Sequence, residues 1–472
     1  MISSMIAASV TAKKTGKYCR CVWGNPPSRS TSCGSMEARV LETILKTGRE
    51  AGFSTVEAFA EKILRQECEG SEQPLSLHEV HGNRIRVRAF RDRGDPLGFS
   101  LSNPDSRLVK RCFAELAHGS GLDGKKNFAQ LLPKNVAKSK LDIYDPSIEN
   151  WDNDQAGELR ERIRESLVTF PGMKLKKFNF SRVLKKVYLA NSCGFLAKYK
   201  KTHFQVSLTF LFKNHALELS ESRIYCSDFD PQRLVARAGN LLGALSADQG
   251  AMDSGAEFVI MSPEASVQVL REFSRNLKLD HAAAAGRGIV ASPRVSILDN
   301  PAMDGQSGSA PFDDEGLASA EKYLINKGVF VRYIADIRTS FAKGGNSTGN
   351  GFREESAIFP QVRFSNLYFK PSTISLAHML RQAQKGILVY LVKLKGYGRQ
   401  PGEYVFSAYG YFFADEEISR PVHFYFLTSM RSYLLHINEI SRELRFFHAR
   451  VNIGSPYLLL QGRCDAGNKI II

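Results

Sequence analysis

The 472-residue sequence predicts an α+β protein, with N-terminal α+β domains followed by a β-rich C-terminal domain. Three observations point there. Amphipathic helical stripes recur through the first half, period-2 alternation recurs between them, and after Gly255 glycines become frequent while long helices disappear. A chain of this length exceeds the size at which one hydrophobic core stops growing, so several domains are expected. The boundaries read as a disordered extension over 1–35, an α+β domain over 36–150, a second over 151–254, and the β-rich domain over 255–472.

Residues 1–35 are rich in Ser, Thr, Lys and Gly, carry Pro26-Pro27, and have no apolar stretch of signal-peptide length. Met36 opens the helical pattern Val40, Leu41, Ile44, Leu45, and is expected to be the physiological start, which an intact mass would test. Val56, Ala58 and Ala60 alternate. Ile85, Val87 and Ala89 then alternate with Arg84, Arg86 and Arg88, the pattern of a half-exposed strand closed by the turn Asp95-Pro96-Leu97-Gly98. Leu108, Val109, Cys112, Phe113 and Leu116 return to helical spacing.

Beyond a polar linker, Leu159, Ile163 and Leu167 stripe a charged helix. Val183, Val187 and Leu189 lead through the turn Asn191-Ser192-Cys193-Gly194 into the alternation Phe204, Val206, Leu208, Phe210, Phe212, so two paired strands are expected. Leu234, Val235, Ala238, Leu241, Leu242 and Leu245 form a further amphipathic helix. The C-terminal strands are placed over 257–261, 294–298, 323–324, 329–334, 386–394 and 423–427, with no fixed-period repeat.

Composition narrows the function. Hydrophobic residues at 43% and charged residues at 24% are those of an ordinary globular protein, and no apolar run reaches membrane-spanning length. The formal charge is +16, but Lys13, Lys14, Lys17, Arg20 and Arg29 bring +5 to residues 1–35 and the remainder is dispersed, so nucleic-acid binding is the weaker reading. Eight cysteines lie scattered without the spacing of a disulfide scaffold, which places the chain in a reducing compartment, the cytoplasm. Cys19, Cys21 and Cys33 have no fourth ligand nearby for structural zinc.

Chemistry-bearing strings are few. A zinc peptidase helix of H-E-x-x-H type is absent; His78-Glu79-Val80-His81 lacks the spacing and reads as surface histidines in a turn. Gly305-Gln306-Ser307-Gly308-Ser309 misses G-x-S-x-G at its last position and reads as a surface loop. The glycine-rich 344–351 stretch either approaches a ligand or simply connects strands. Phe312-Asp313-Asp314-Glu315-Gly316 reads as a solvated acidic turn, because it lacks calcium-loop spacing. The aromatics Tyr404, Phe406, Tyr409, Tyr411, Phe412 and Phe413 read as sheet core.

Several strings together resemble the TldD/PmbA metallopeptidase family, also known as modulators of DNA gyrase. They are Arg86-Val87-Arg88-Ala89-Phe90, Leu97-Gly98-Phe99-Ser100-Leu101-Ser102-Asn103, Asn191-Ser192-Cys193-Gly194, Phe312-Asp313-Asp314-Glu315-Gly316, Ser347-Thr348-Gly349-Asn350, Ser365-Asn366-Leu367-Tyr368 and Gly454-Ser455-Pro456, in family order from Met36 onward. The resemblance implies two kinds of subunit, of which the TldD kind carries zinc on an H-E-x-x-x-H helix with a cysteine near the C-terminus. Here Pro263-Glu264-Ala265-Ser266-Val267-Gln268 takes that place: the glutamate persists, and proline and glutamine replace both histidines. Ser262 instead suits an N-cap, Pro263 the first turn, and Glu264 the positive helix end. Cys464 resembles the PmbA ending and reads as structural.

What the resemblance implies is a PmbA/TldE-like, non-catalytic subunit. No cofactor is expected in this chain and zinc is expected in a TldD-like partner, the heterodimer acting on unfolded polypeptides or leader peptides. Ser347, Thr348, Gly349 and Asn350, with Asp314 and Glu315, are the expected partner or substrate face. The alternatives are a basic nucleic-acid-associated binding protein and a peptidase using unrelated groups.

Overall fold

A computed structural model describes residues 36–70, 76–119, 131–135, 140–151, 153–246, 258–281, 288–448, 450–464 and 469–471. The extension read over 1–35 and its three cysteines lie outside them. The fold is α+β, as the sequence predicts.

Helix α1 (Met36–Glu50) precedes the long strands β1 (Thr55–Gly70) and β2 (Ser76–Phe90), then β3 (Leu97–Leu101) and α2 (Ser106–His118). Helix α3 (Asn153–Ser166), β4 (Lys174–Asn191), β5 (Leu196–Phe212), β6 (His215–Arg223) and α4 (Pro231–Leu245) follow. The six strands form a single antiparallel sheet in the order β3-β2-β1-β4-β5-β6. The two α+β units read from the sequence therefore share one sheet, joined where β1 pairs β4 from Glu57 opposite Asn191 to Gly70 opposite Phe178.

One face of this sheet is apolar and covered by helices. Val56, Ala58, Ala60, Ile85, Val87 and Ala89 pack with Leu41 and Ile44 of α1 and Cys112 and Phe113 of α2. Phe178, Phe180, Phe204, Val206 and Phe210 pack with Ile163 of α3 and Leu234 and Leu241 of α4. The β4–β5 hairpin turns as expected: Gly194 has φ +97°, and Asn191 Oδ1 accepts from the Cys193 amide at 2.9 Å. His78-Glu79-Val80-His81 is exposed, but it lies within β2 and not in a turn, because β1 continues opposite it.

From β7 (Phe258–Met261) and α5 (Pro263–Phe273) onward the chain is mostly strand. An eight-stranded sheet centres on β7 and the strands Lys385–Tyr397, Glu403–Ala414 and Glu417–Ser429. A second six-stranded sheet includes Ile297–Asp299, Asn366–Phe369, Asn452–Ser455 and, at its edge, Arg445–His448. Helix α5 lies in the core they enclose, with Val267, Leu270 and Phe273 beside Ile297, Phe369, Phe406 and Ile453. Tyr404, Phe406, Phe412 and Phe413 are buried, so the aromatic strand is core. The strand expected over 329–334 shortens to Val329–Phe330.

Candidate functional site

The face of the N-terminal sheet opposite its helices carries charge. On it, Glu57 of β1 stands directly across from Arg88 of β2, and Phe59 from Arg86. Alternation alone left this face to water; the structure covers it with C-terminal loops, leaving Arg86 1% and Arg88 4% exposed. Arg88 donates to Glu57 from Nε at 2.9 Å and Nη2 at 2.6 Å, and from Nη1 to Glu315 at 2.9 Å. Arg353 donates to Glu57 from Nη2 at 2.6 Å, and its backbone N–H donates to Asp314 at 2.6 Å. Glu61 binds Arg86 at 3.1 Å and also Lys185 of β4. The Phe59 ring lies beneath both Arg86 and Arg353, the latter 4.7 Å from its centroid.

Burial alone would push the Glu57 and Glu61 carboxyls up; their cationic partners outweigh it. Arg88 and Arg353 hold Glu57 below its ordinary value, and Lys185 and Arg86 hold Glu61 at about 2. The acidic turn at 313–315 is thus a correction: Asp313, Asp314 and Glu315 are buried, because arginines and backbone amides supply the partners that water would have given.

Beside this ionic seam lies a cavity of about 340 Å³ between the N-terminal sheet and the C-terminal domain. Period-2 geometry brings Tyr199, Lys201 and His203 of β5 to its wall. Lys201 Nζ donates to the carbonyls of Ser307 and Ser309 at 2.6 and 2.7 Å. The Ser307 hydroxyl is paired with His448 Nδ1 at 3.1 Å, and the His448 ring meets that of His203 edge-on at 5.0 Å. Burial, with the neighbouring charge of Lys201, holds His448 at about 4 and His203 well below its ordinary value, so both rings are neutral at physiological pH. The 305–309 stretch is consequently not the surface loop expected: Ser307 and Ser309 are buried, and 307–309 form part of the cavity wall. A Cβ on Gly308 would stand 2.1 Å from the Ser365 carbonyl oxygen, so only glycine lets the loop seat there.

Helix α5 begins as its sequence indicates. Ser262 Oγ accepts from the Ala265 amide at 3.2 Å and Pro263 occupies the first turn. Glu264 is gripped by Arg237 of α4, from Nε at 2.7 Å and Nη2 at 2.5 Å, and the same guanidinium lies 4.8 Å from the Phe447 ring centroid. Gln268 accepts from Arg271 at 2.9 Å.

Residues 258–463 match the family described as PmbA/TldA metallopeptidase C-terminal domain. A metalloprotease of Archaeoglobus fulgidus is 28% identical over 326 residues, 65% of this chain and 73% of that protein. A metalloprotease TldD homolog of Buchnera aphidicola is 33% identical over 121 residues, 25% of this chain and 24% of its own. Over its C-terminal part the chain is thus similar to metallopeptidases of the TldD/PmbA family. The fold agrees: TldE from Thermococcus kodakarensis superposes with a TM-score of 0.77 at 17% identity, covering 89% of this chain and 98% of that one. A Thermotoga maritima protein titled a putative modulator of a DNA gyrase gives 0.76 at 16%, covering 90% and 99%.

Two of the strings by which the sequence resembles TldD/PmbA proteins, 347–350 and 365–368, meet in one polar scaffold. Asn350 donates to Asp299 at 2.7 Å, Asp299 accepts from both the amide and the hydroxyl of Ser365, and Asn366 accepts from Asn452 at 2.8 Å. Ser347 and Thr348 are half-buried, their hydroxyls donating to the Ala335 carbonyl; Gly349 and Asn350 are buried. Of the expected partner or substrate face, therefore, Asn350, Glu315 and Gly349 point into the molecule, and Asp314 alone reaches the cavity.

The residues of α5 do not fit the family's zinc. Pro263 offers no ligand atom, Gln268 is a poor one, and Glu264 already neutralises Arg237. Among the described residues no group of three or more His, Cys, Asp or Glu is placed to hold a metal ion. Cys464 ends the short strand Arg463–Cys464, and its side chain lies outside the described residues. Sequence reasoning missed Glu61, Lys185, Lys201, His203, Arg237, Arg353 and His448. For the β5 residues a signal existed: the polar positions 199, 201 and 203 alternate with the apolar face that was read.

Proposed function

We propose that this chain is a PmbA/TldE-like, non-catalytic subunit that pairs with a TldD-like zinc metallopeptidase in the cytoplasm, where the pair acts on unfolded polypeptides or leader peptides. The observation that carries this reading is the occupied state of α5. Glu264, the carboxylate of the motif, is bound bidentate by Arg237, and the two ligand positions hold proline and glutamine. A water-activating zinc needs open imidazole or carboxylate donors and a free general base, and positions 263, 264 and 268 of α5 present neither. The retained polar scaffold keeps the fold while the helix serves packing.

Mixing decides it. This chain and a TldD-like protein are purified separately, and zinc content and cleavage of an unfolded protein are measured alone and together. A stable complex with about one zinc per pair and greater activity than either chain is expected. Zinc-dependent cleavage by this chain alone, or failure of the two to associate, overturns the proposal.

A further inference from the structure

The cavity beside the ionic seam contains a conflict that the seam does not. In the β4–β5 register Lys201 stands directly opposite Lys185, and like charges facing each other across a sheet destabilise it. Lys185 is compensated by Glu61. Lys201 has no ion-pair partner among the described residues; its two bonds go to carbonyls, which leaves one of its three ammonium protons for a ligand in the cavity it lines. Local conflicts of this kind in an otherwise consistent fold concentrate at functional sites.

Other charges around the cavity are already matched or lie at its rim. Asp314 accepts from the Arg353 backbone N–H, and its charge is shared among Lys185, Arg353 and, more distantly than an ion pair, Lys201; Arg363 leans on Glu354 at 3.8 Å. Arg450 and Glu355 are exposed, and Arg65 of β1 pairs with Glu67 at 3.7 Å. Tyr199, pushed up by burial, stays a neutral phenol, and His203 and His448 add hydrogen-bonding surface without charge. What remains is one half-buried cation without a carboxylate at ion-pair distance, in a space of about 340 Å³, near the small end of the ~300–1,000 Å³ typical of ligand pockets.

We propose that this cavity binds the carboxylate of an extended polypeptide, with Lys201 as its counter-ion and the 307–309 loop and the two histidines as its walls. A singly charged group matches one cation; a phosphate dianion would carry excess charge toward Glu61 and Asp314, which also line the space. The choice of a peptide rests on the polypeptide-handling role proposed above. The carboxylate is either a chain terminus or an Asp or Glu side chain.

Burial and Lys185 lower the Lys201 ammonium to about 7, so a bound anion raises its proton affinity and binding at pH 8 takes up protons. The test is calorimetric titration of the full chain in two buffers of different ionisation enthalpy. The probes are acetylated tetra-alanine with a free C-terminus, the same peptide as the amide, an amide-capped peptide with one internal Glu, and inorganic phosphate. A carboxylate-bearing peptide is expected to bind roughly thirtyfold or more tightly than the neutral amide, with proton uptake, and Lys201→Met removes the difference. Binding of the free acid alone assigns the terminus, of the Glu peptide alone the side chain, and of both any carboxylate. Equal binding of acid and amide, no binding of either carboxylate, or tighter binding of phosphate overturns the proposal. If Lys201→Met does not fold, proton uptake by the unaltered chain decides: none means Lys201 is not the counter-ion. Because this chain is titrated alone, failure to find a TldD-like partner leaves the result standing.

Discussion

Glu61 joins two strands of the ionic seam, since it serves both Arg86 of β2 and Lys185 of β4. Glu61→Gln keeps the shape but leaves two cations short of an anion, and is expected to cost about 3–5 kcal/mol in denaturant unfolding. Its carboxyl is held at about 2, below the ordinary 4.5, so its stabilisation is full above pH 4.5 and is lost as pH falls toward 2. The variant should lack that part of the acid loss. Lys201 acts with the same sense in a higher window: its folded value of about 7 lies below the ordinary 10.5, so the unfolded chain binds more protons between them and stability rises with pH there. Urea midpoints at pH 7 and 9.5 should show a smaller rise for Lys201→Met than for the unaltered chain. The alternation of Arg84, Arg86 and Arg88 made the strand legible, but not the fate of its polar face. A strand wetted on one side and a strand covered by distant carboxylates have the same period, and Glu315 lies 227 residues from Arg88.

Among the elements, α5 was the most legible, because capping is local: Ser262, Pro263 and Glu264 specify a helix start whatever surrounds them. The ion pair that engages Glu264 was not legible, since Arg237 belongs to another helix. Pro263→His with Gln268→His restores both imidazoles without freeing that carboxylate. Elemental analysis of this double variant is expected to find substoichiometric zinc, and adding Arg237→Ala is expected to raise it. One zinc per chain in the double variant would show that Arg237 does not guard the position. The 347–350 loop was legible as important, yet its direction was not: resemblance marks retained residues without distinguishing those that touch a ligand from those that hold Asp299 and Ala335 in place.

At the scale of the molecule, the α+β class followed from the change in periodicity near Gly255, while the union of both N-terminal units in one sheet had no sequence signal, because strand pairing across more than a hundred residues leaves no local trace. A fragment spanning 36–150 would contain β1 without β4, its neighbour across fourteen residue pairs from Glu57 to Gly70. Such a fragment is expected to show no cooperative unfolding by circular dichroism, whereas 36–246 retains the sheet and its four helices; a cooperative transition in the shorter fragment would show that β1–β3 suffice.

The seam also sets an order of events during synthesis. Arg353 follows Glu57 by 296 residues, so at ~5–20 residues per second the charged face of a newly made sheet waits roughly 15–60 s for its cover. Throughout that wait the nascent chain turns toward its surroundings a face on which glutamates, arginines and lysines alternate with Phe59, Val187 and Leu189, apolar groups that the finished protein buries against Phe312. Charge thus interrupts the apolar area that stays open until Phe312 is made.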